Sequence, residues 1–166
     1  MHYESEPMSS SIVKNGQELE RVVITGLGVI TSLGNTVETL WSNLLAGKSG
    51  VSMIDAFDTT DFTTKIGAEI KPDQFDPENY MERKEAKRMD RFVQFAVAAA
   101  RNAIEDSKLE ISEENADRVG VLIGSGIGGI LTIQNQFEVM KEKGPSRISP
   151  FFIPMLISDM ASGQVS

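Results

Sequence analysis

The segment Arg118-Val-Gly-Val-Leu-Ile-Gly-Ser-Gly-Ile-Gly-Gly129 decides how the rest of the chain is interpreted. Its first half is a short apolar run rich in β-branched residues, which predicts a strand buried on both faces. Its second half, residues 124–129, is a glycine turn in which the backbone is free to bend sharply or approach another group closely. Helical spacing follows Gly129, so the predicted unit is strand, turn and helix. Ligands of open α/β sheets bind at the carboxyl ends of strands, where such turns lie.

The composition is that of one soluble globular domain. The chain has 166 residues, of which 40% are hydrophobic and 24% charged, and this length is enough to bury a core. A net charge of −8 argues against a nucleic-acid or membrane-surface partner. No apolar run approaches the roughly 20 residues that span a bilayer. Residues 1–20 are polar and lack the features of a targeting peptide, so we expect a disordered leader on a cytoplasmic protein.

Two absences limit the chemistry. The chain has no cysteine, and its only histidine is His2, in the leader. A Cys–His pair, a Ser–His–Asp triad, a thiolate or imidazole metal site and a disulfide are therefore excluded within one chain. We assign no catalytic residue, no metal and no cofactor to residues 1–166.

Periodicity along the chain predicts an α/β fold. Residues 21–25 form a second buried strand, and residues 63–70 form a strand or half of a hairpin. A helix starts at Asn35, which pairs with Glu38 in a capping box, and ends before Gly47. Trp41 lies on the apolar stripe of that helix and is expected in the core. Further helices are predicted over residues 82–107, from Gly129 to Gly144, and from Pro154 at its first position.

Basic residues cluster at the start of the helix predicted over residues 82–107. Lys84, Lys87, Arg88 and Arg91 share one face there, at i, i+3, i+4 and i+7. A solvated helix surface is the default interpretation of such a face. The alternative is a docking surface for an acidic partner.

Three interpretations of the glycine turn follow from the residues alone. Gly124, Gly126 and Gly129 match G-x-G-x-x-G, which is typical of a dinucleotide site. Such a site places an acidic residue at the end of the next strand, whereas Glu138 and Glu142 lie in a predicted helix. In the second interpretation, the glycines are needed only for close packing of the strand on the helix. In the third, the turn is the binding site of a free-standing module.

Several segments together resemble the N-terminal part of the elongating type II β-ketoacyl-acyl carrier protein synthases. The similarity extends over about residues 21–163, in the order of the family. The matching segments are RVVITGLG at 21–28, GNTVETLW at 34–41, LAGKSG at 45–50, RKEAKRMD at 83–90, GSGIGG at 124–129 and ISPFFIP at 148–154.

The resemblance implies the N-terminal part of a thiolase-like fold, with helices packed on a mixed sheet over residues 21–166. It also implies fatty-acid elongation by decarboxylating Claisen condensation. In the family the cysteine nucleophile follows shortly after the position of Ser166, and two histidines come later. We therefore expect an N-terminal fragment that is inactive alone. The implied partners are acyl carrier protein, acyl and malonyl thioesters and a second copy in the full-length protein, with neither nucleic acid nor membrane.

The resemblance also implies roles for individual residues. Ile127 matches an isoleucine that gates the acyl pocket, and Phe152 matches a phenylalanine that reaches into the partner subunit's pocket. The positions that dock acyl carrier protein are matched by Lys84, Lys87, Arg88 and Arg147. Two rival hypotheses remain from the residues themselves: a module that binds a nucleotide or acyl group through the glycine turn, and a dimerisation scaffold without a ligand.

Overall fold

A computed structural model describes residues 11–166 as α-helices joined by long loops, with two short β-hairpins. The strands are β1 (Ser11–Lys14), β2 (Gln17–Glu20), β3 (Ser52–Met53) and β4 (Ile66–Gly67). The helices are α1 (Val37–Leu45), α2 (Arg83–Ala86), α3 (Arg91–Ser107), α4 (Ile130–Lys143), α5 (Phe152–Leu156) and α6 (Met160–Val165). Single 3₁₀ turns occupy Pro77–Asn79, Ala116–Arg118 and Pro145–Arg147.

The first hairpin contradicts part of the predicted disordered leader. Strands β1 and β2 pair antiparallel, with Lys14 opposite Gln17. The turn between them is Asn15-Gly16, and both residues have positive φ, at 53° and 77°. Asn-Gly favours this mirror-image turn because its twist matches that of the flanking strands. The prediction of disorder is therefore wrong for residues 11–20, and residues 1–10 lie outside the described part.

The two strands predicted as fully buried do not form ladders within residues 11–166. Residues 21–25 and 119–123 are not assigned to any sheet. Val22, Ile24 and Leu122 are 90%, 83% and 99% exposed. The prediction of burial is wrong for these residues because an apolar pattern shows only that a segment favours a buried strand. A strand forms only where neighbouring N–H and C=O groups complete its hydrogen bonds.

The segment that follows residues 21–25 packs on α3 instead. A Cβ at Gly26 would overlap the carbonyl oxygen of Ala103, and one at Gly28 would overlap that of Ala99. The backbone N–H of Leu27 donates to Asp106 Oδ2 at 2.8 Å. Glycine on one side and alanine on the other let the two backbones approach closely. The alanine-rich part of α3 therefore packs closely against residues 26–28.

Helix α1 is confirmed, but its N-cap residue and the burial of Trp41 differ from the prediction. Its N-cap is Thr36, whose side chain accepts from the N–H of Thr39, and not Asn35. Asn35 bonds instead to the carbonyl of Gln74 through its Nδ2. Gly47, with φ of 66°, follows the C-cap as predicted. Trp41 is 61% exposed because no described element covers this face, so its assignment to the core is wrong.

The long helix predicted over residues 82–107 is two helices. Helix α2 ends at Ala86, and α3 begins at Arg91 after the N-cap Asp90. At the break, the backbone of Asp90 holds an extended ψ of 159°, and its carboxylate accepts two hydrogen bonds from Thr132 of α4. Arg91 consequently leaves the basic face. Its guanidinium donates to the carbonyl of Ile70 and lies over the ring of Phe95.

The core lies where α3 meets α2 and α6. Its buried members are Met81, Ala86, Val93 and Val97, with Met160 and Val165 of α6 packed against them. Ala98 and Ala161, on the facing helices, are also buried. Small side chains on both helices allow close contact, and the larger apolar side chains fill the space around them.

The loop from residue 48 to residue 80 carries the second hairpin. Strands β3 and β4 pair antiparallel, which confirms the predicted half-hairpin near residues 63–70. Glu69 accepts from the backbone N–H groups of Asp55 and Ala56 and so closes the base of the hairpin. Lys71 forms an ion pair with Asp55, and this contact raises the pKa of the Lys71 ammonium.

The C-terminal helices differ from the prediction in one detail. Helix α4 ends before Gly144, as predicted; Gly144 is its C-cap and has φ of 84°. Pro154 is the third residue of α5 and not the first residue of a helix. Its position is tolerated because N–H groups of a first turn have no partner within the helix. Among the described residues, no helix combines the length and apolar character needed to cross a membrane.

Candidate functional site

The glycine turn is held against the C-terminal helices at both of its ends. Before the turn, the N–H of Ile123 donates to Ser162 Oγ of α6 at 3.1 Å. After it, the N–H of Gly129 donates to the carbonyl of Leu156 at 2.9 Å. Inside it, the N–H of Gly128 donates to Ser125 Oγ at 3.1 Å. The turn is therefore fixed at positions on α5 and α6 that lie more than 25 residues later in the chain.

The glycines in this turn have different roles. A Cβ at Gly128 would overlap the carbonyl oxygen of Leu156, and one at Gly129 would overlap that of Met155. Gly128 also has φ of +77°, which disfavours other residues. A Cβ at Gly124 or Gly126 would meet nothing within 4 Å. The packing interpretation thus accounts for the last two glycines and leaves the first two beside open space.

Ile127 and Phe152 occupy different surroundings. Ile127, in the turn, is 67% exposed. Phe152 is half-buried at the start of α5. Its ring lines an apolar hollow of about 190 Å³ against α4, together with Ile133, Gln136, Phe137, Met140 and Ile148. Ile127 does not line this hollow. Within one chain, the structure therefore does not bring the two predicted acyl-pocket residues into one cavity.

The predicted docking residues are all exposed. Lys84 lies on α2, Lys87 is the C-cap of that helix, and Arg147 ends the 3₁₀ turn at Pro145–Arg147. Among residues 15–17 and 19–166, whose side chains the structure describes, the ion pairs are Lys71 with Asp55 and Arg83 with Glu78, so these three cations have no carboxylate partner there. Free cations on one exposed surface attract an acidic partner over long distances.

Arg88 connects the two parts of this basic surface. Its guanidinium carbon lies 4.5 Å from the ring centroid of Phe151, in a cation–π contact. Phe151 follows Arg147 by four residues. An extended chain of that length spans at most about 14 Å, so the Cα atoms of Arg147 and Phe151 are no farther apart than that. The structure therefore brings the segment of Lys84, Lys87 and Arg88 near that of Arg147. Arg91 does not belong to this surface.

Asp90 is a buried residue for which the sequence patterns predicted no role of its own. Its Oδ2 accepts from the backbone N–H of Thr132 at 2.8 Å and from the Thr132 hydroxyl at 2.6 Å. Its Oδ1 accepts from the N–H of Phe92 at a longer 3.5 Å. One carboxylate thus lies at the N-termini of both α3 and α4. An aspartate directly before the helical pattern of residues 91–107 was the available signal for a cap.

This arrangement argues against the dinucleotide interpretation of the turn. A pyrophosphate would bind at the N-terminus of α4, where free N–H groups and the helix dipole favour an anion. The N-cap there is Gly129, which has no capping side chain, and the N–H of Thr132 is already bonded to Asp90. A phosphate at this end would therefore compete with a carboxylate for the same donor and approach a like charge.

Comparison with known proteins identifies the family. The model of the β-ketoacyl synthase N-terminal domain matches residues 19–166. The chain is 52% identical over 146 residues to 3-oxoacyl-[acyl-carrier-protein] synthase 2 of Synechocystis sp., covering 88% of this chain and 35% of that protein. It is 50% identical over 147 residues to the protein of that name in Staphylococcus aureus strain COL, covering 89% and 35%.

A solved structure shows the same fold. The ishigamide ketosynthase/chain length factor superposes with a TM-score of 0.71 at 30% sequence identity, covering 86% of this chain and 35% of that one. The predicted α/β, thiolase-like fold is thereby confirmed. The chain spans about a third of the length of the relatives it matches. Because the model of the N-terminal domain matches most of the chain, residues 19–166, the chain belongs to the β-ketoacyl synthase family.

Proposed function

We propose that this chain is the N-terminal portion of a 3-oxoacyl-[acyl-carrier-protein] synthase that elongates fatty acids. The observation that carries the proposal is the 52% identity to the Synechocystis enzyme over 88% of the chain. Because the chain spans 35% of that relative, the activity, substrates and partners are proposed for a protein that contains residues 1–166.

The proposed reaction is a decarboxylating Claisen condensation. A thiolate attacks the acyl thioester of the carrier protein, forms an acyl-enzyme thioester and releases the carrier thiol. Malonyl-carrier protein then loses CO₂, and the resulting carbanion attacks the acyl carbonyl and expels the enzyme thiolate. Imidazoles assist the decarboxylation, and N–H donors stabilise the thioester oxyanion. Residues 1–166 have no cysteine and only His2, so they contribute the scaffold and not the nucleophile.

The acyl pocket is proposed to involve Ile127 and Phe152. The turn that carries Ile127 is hydrogen-bonded to α6 before it and to the end of α5 after it, whereas Ile127 itself is exposed. An acyl chain can therefore contact Ile127 without entering the packed core. Phe152 lies on a different surface, against α4. This separation is consistent with a homodimer in which Phe152 of one subunit reaches the acyl pocket of the other.

The basic surface of Lys84, Lys87, Arg88 and Arg147 is proposed to dock acyl carrier protein. All four cations are without a carboxylate partner among the residues whose side chains are described, although the net charge of the chain is −8. A local excess of positive charge on an acidic protein favours an acidic partner by complementarity. A cytoplasmic location stays a prediction from the sequence.

The experiment is a condensation assay on the complete reading frame that contains residues 1–166. The purified product receives acyl-carrier protein and malonyl-carrier protein, and mass spectrometry follows the carrier-bound chains. The expected product is a 3-oxoacyl chain that is two carbons longer, with loss of CO₂. Acyl-carrier protein without malonyl-carrier protein is the matched control. Binding of acyl-carrier protein without any extension would favour the rival acyl-binding module, and no binding would favour a scaffold.

A further inference from the structure

The basic segment, residues 83–88, is held firmly on the start of α3. The side-chain amide of Gln94 donates to the carbonyl of Ala86 at 2.9 Å and to that of Met89 at 3.4 Å. Ala86 belongs to the buried core, and Met89 packs against it. A displacement of the basic segment is therefore transmitted to Asp90, which directly follows Met89 in the chain.

Asp90 connects this segment to the first turn of α4. Its Oδ2 accepts both hydrogen bonds that Thr132 donates. Gly129, the N-cap of α4, has no side chain with which to cap the helix. The carboxylate of Asp90 thus supplies from another helix the acceptor that α4 lacks at its own N-cap. Asp90 and Thr132 are both buried, so water does not compete for these bonds.

The first turn of α4 is continuous with the glycine turn. The N–H of Ile133 donates to the carbonyl of Gly129 at 3.1 Å, and the N–H of Ile130 donates to that of Gly128 at 3.0 Å. Ile127 precedes these two glycines directly. The position of Thr132 therefore constrains the end of the glycine turn, together with the hydrogen bond from Gly129 to Leu156. A chain of contacts leads from the basic segment through Asp90 and Thr132 to Ile127.

We infer that Asp90 is a positioning residue that couples the position of the basic segment to that of the glycine turn. An acidic partner that docks on Lys84 and Lys87 then changes the surroundings of Ile127 through the bonds from Asp90 to Thr132. This consequence for docking rests on the proposed function. The positioning role itself rests only on the contacts within this chain.

The first test measures amide hydrogen exchange in the full chain. Thr132→Val removes the hydroxyl donor and keeps the backbone N–H, whereas Thr132→Ser keeps both. We expect Thr132→Val to speed exchange over residues 125–132 by about tenfold, a larger increase than in α1, and Thr132→Ser to restore protection. An equal increase in both regions, or no increase over residues 125–132, would overturn the inference.

The second test adds acyl carrier protein and follows the ¹³C resonance of the Ile127 methyl group. Asp90→Ser keeps a short cap for α3 but cannot reach Thr132. At saturating carrier protein, we expect the resonance to move in the wild type and to stay in place in Asp90→Ser. Equal movement in both proteins contradicts the coupling. Absence of carrier binding would overturn the docking proposal instead, and the exchange measurement still decides the role of Asp90.

Discussion

The carboxylate of Asp90 accepts hydrogen bonds from both the backbone N–H and the hydroxyl of Thr132, at 2.8 and 2.6 Å, although the two residues are 42 positions apart. Both residues are buried. This pair connects the start of the longest helix to the helix that follows the glycine turn. It is a buried polar contact that supports the helix after the glycine turn from another helix.

Loss of the Thr132 hydroxyl should destabilise the fold. Thr132→Val leaves a buried carboxylate with one donor fewer, and hydrogen bonds to charged groups contribute about 1.5–3 kcal/mol. We expect the free energy of unfolding to fall by about that amount in urea denaturation. Thr132→Ser is the control, because it keeps the hydroxyl and loses only a methyl group. Equal losses in both variants would show that the hydroxyl bond contributes little.

Alanine should be tolerated in the first part of the glycine turn and not in the last. Gly129→Ala places a Cβ on the carbonyl oxygen of Met155, whereas Gly126→Ala meets nothing within 4 Å. Overpacking of this kind costs about 1–3 kcal/mol. Thermal unfolding should therefore show a lower midpoint for Gly129→Ala and a nearly unchanged one for Gly126→Ala. The opposite order would contradict the described packing of the turn on α5.

Charge reversal on the basic surface should weaken binding of acyl carrier protein. Lys84→Glu with Lys87→Glu removes two exposed attractions, each worth at most about 1 kcal/mol, and adds repulsion. We expect the association rate to fall at low salt and the difference to shrink at high salt. Lys48→Glu with Arg101→Glu is the control, because both residues are exposed and the change in net charge is the same. Equal effects of the two double variants would indicate a general charge effect.

The 166-residue chain alone should have no condensing activity. It has no cysteine to form an acyl-enzyme, and its only histidine is His2. Acyl- and malonyl-carrier protein incubated with it should give no 3-oxoacyl product above a blank without protein, by mass spectrometry. Product formed by material of verified mass would show that another residue acts as the nucleophile.

The exposed apolar segments should make the isolated chain associate. Val22, Ile24 and Leu122 are almost fully exposed, and apolar patches of this kind promote association. Sedimentation velocity should show species larger than a monomer. The triple change Val22→Thr, Ile24→Thr and Leu122→Lys should shift the distribution toward monomer and leave the far-ultraviolet spectrum unchanged, because exposed substitutions cost little stability. A wild-type chain that is entirely monomeric would contradict this expectation.

The sequence by itself determined the local elements that depend on neighbouring residues. The helical spacing of Val37, Leu40 and Leu44 and the glycine at position 47 predicted α1 because both signals act within a few turns. The end of α4 at Gly144 followed for the same reason. The order of short segments such as residues 21–28 and 124–129 also predicted the family, which the match over residues 19–166 confirmed.

Only the tertiary structure decided what depends on residues far apart in the chain. The predicted helix over residues 82–107 breaks before Asp90, whose carboxylate bonds to Thr132 of another helix, and no periodicity over residues 82–107 contains that partner. Residues 21–25 and 119–123 have the composition of buried strands, yet they form no ladder within residues 11–166. A sequence pattern shows which secondary structure a segment favours, whereas burial and ladder hydrogen bonds require a second segment in contact with it.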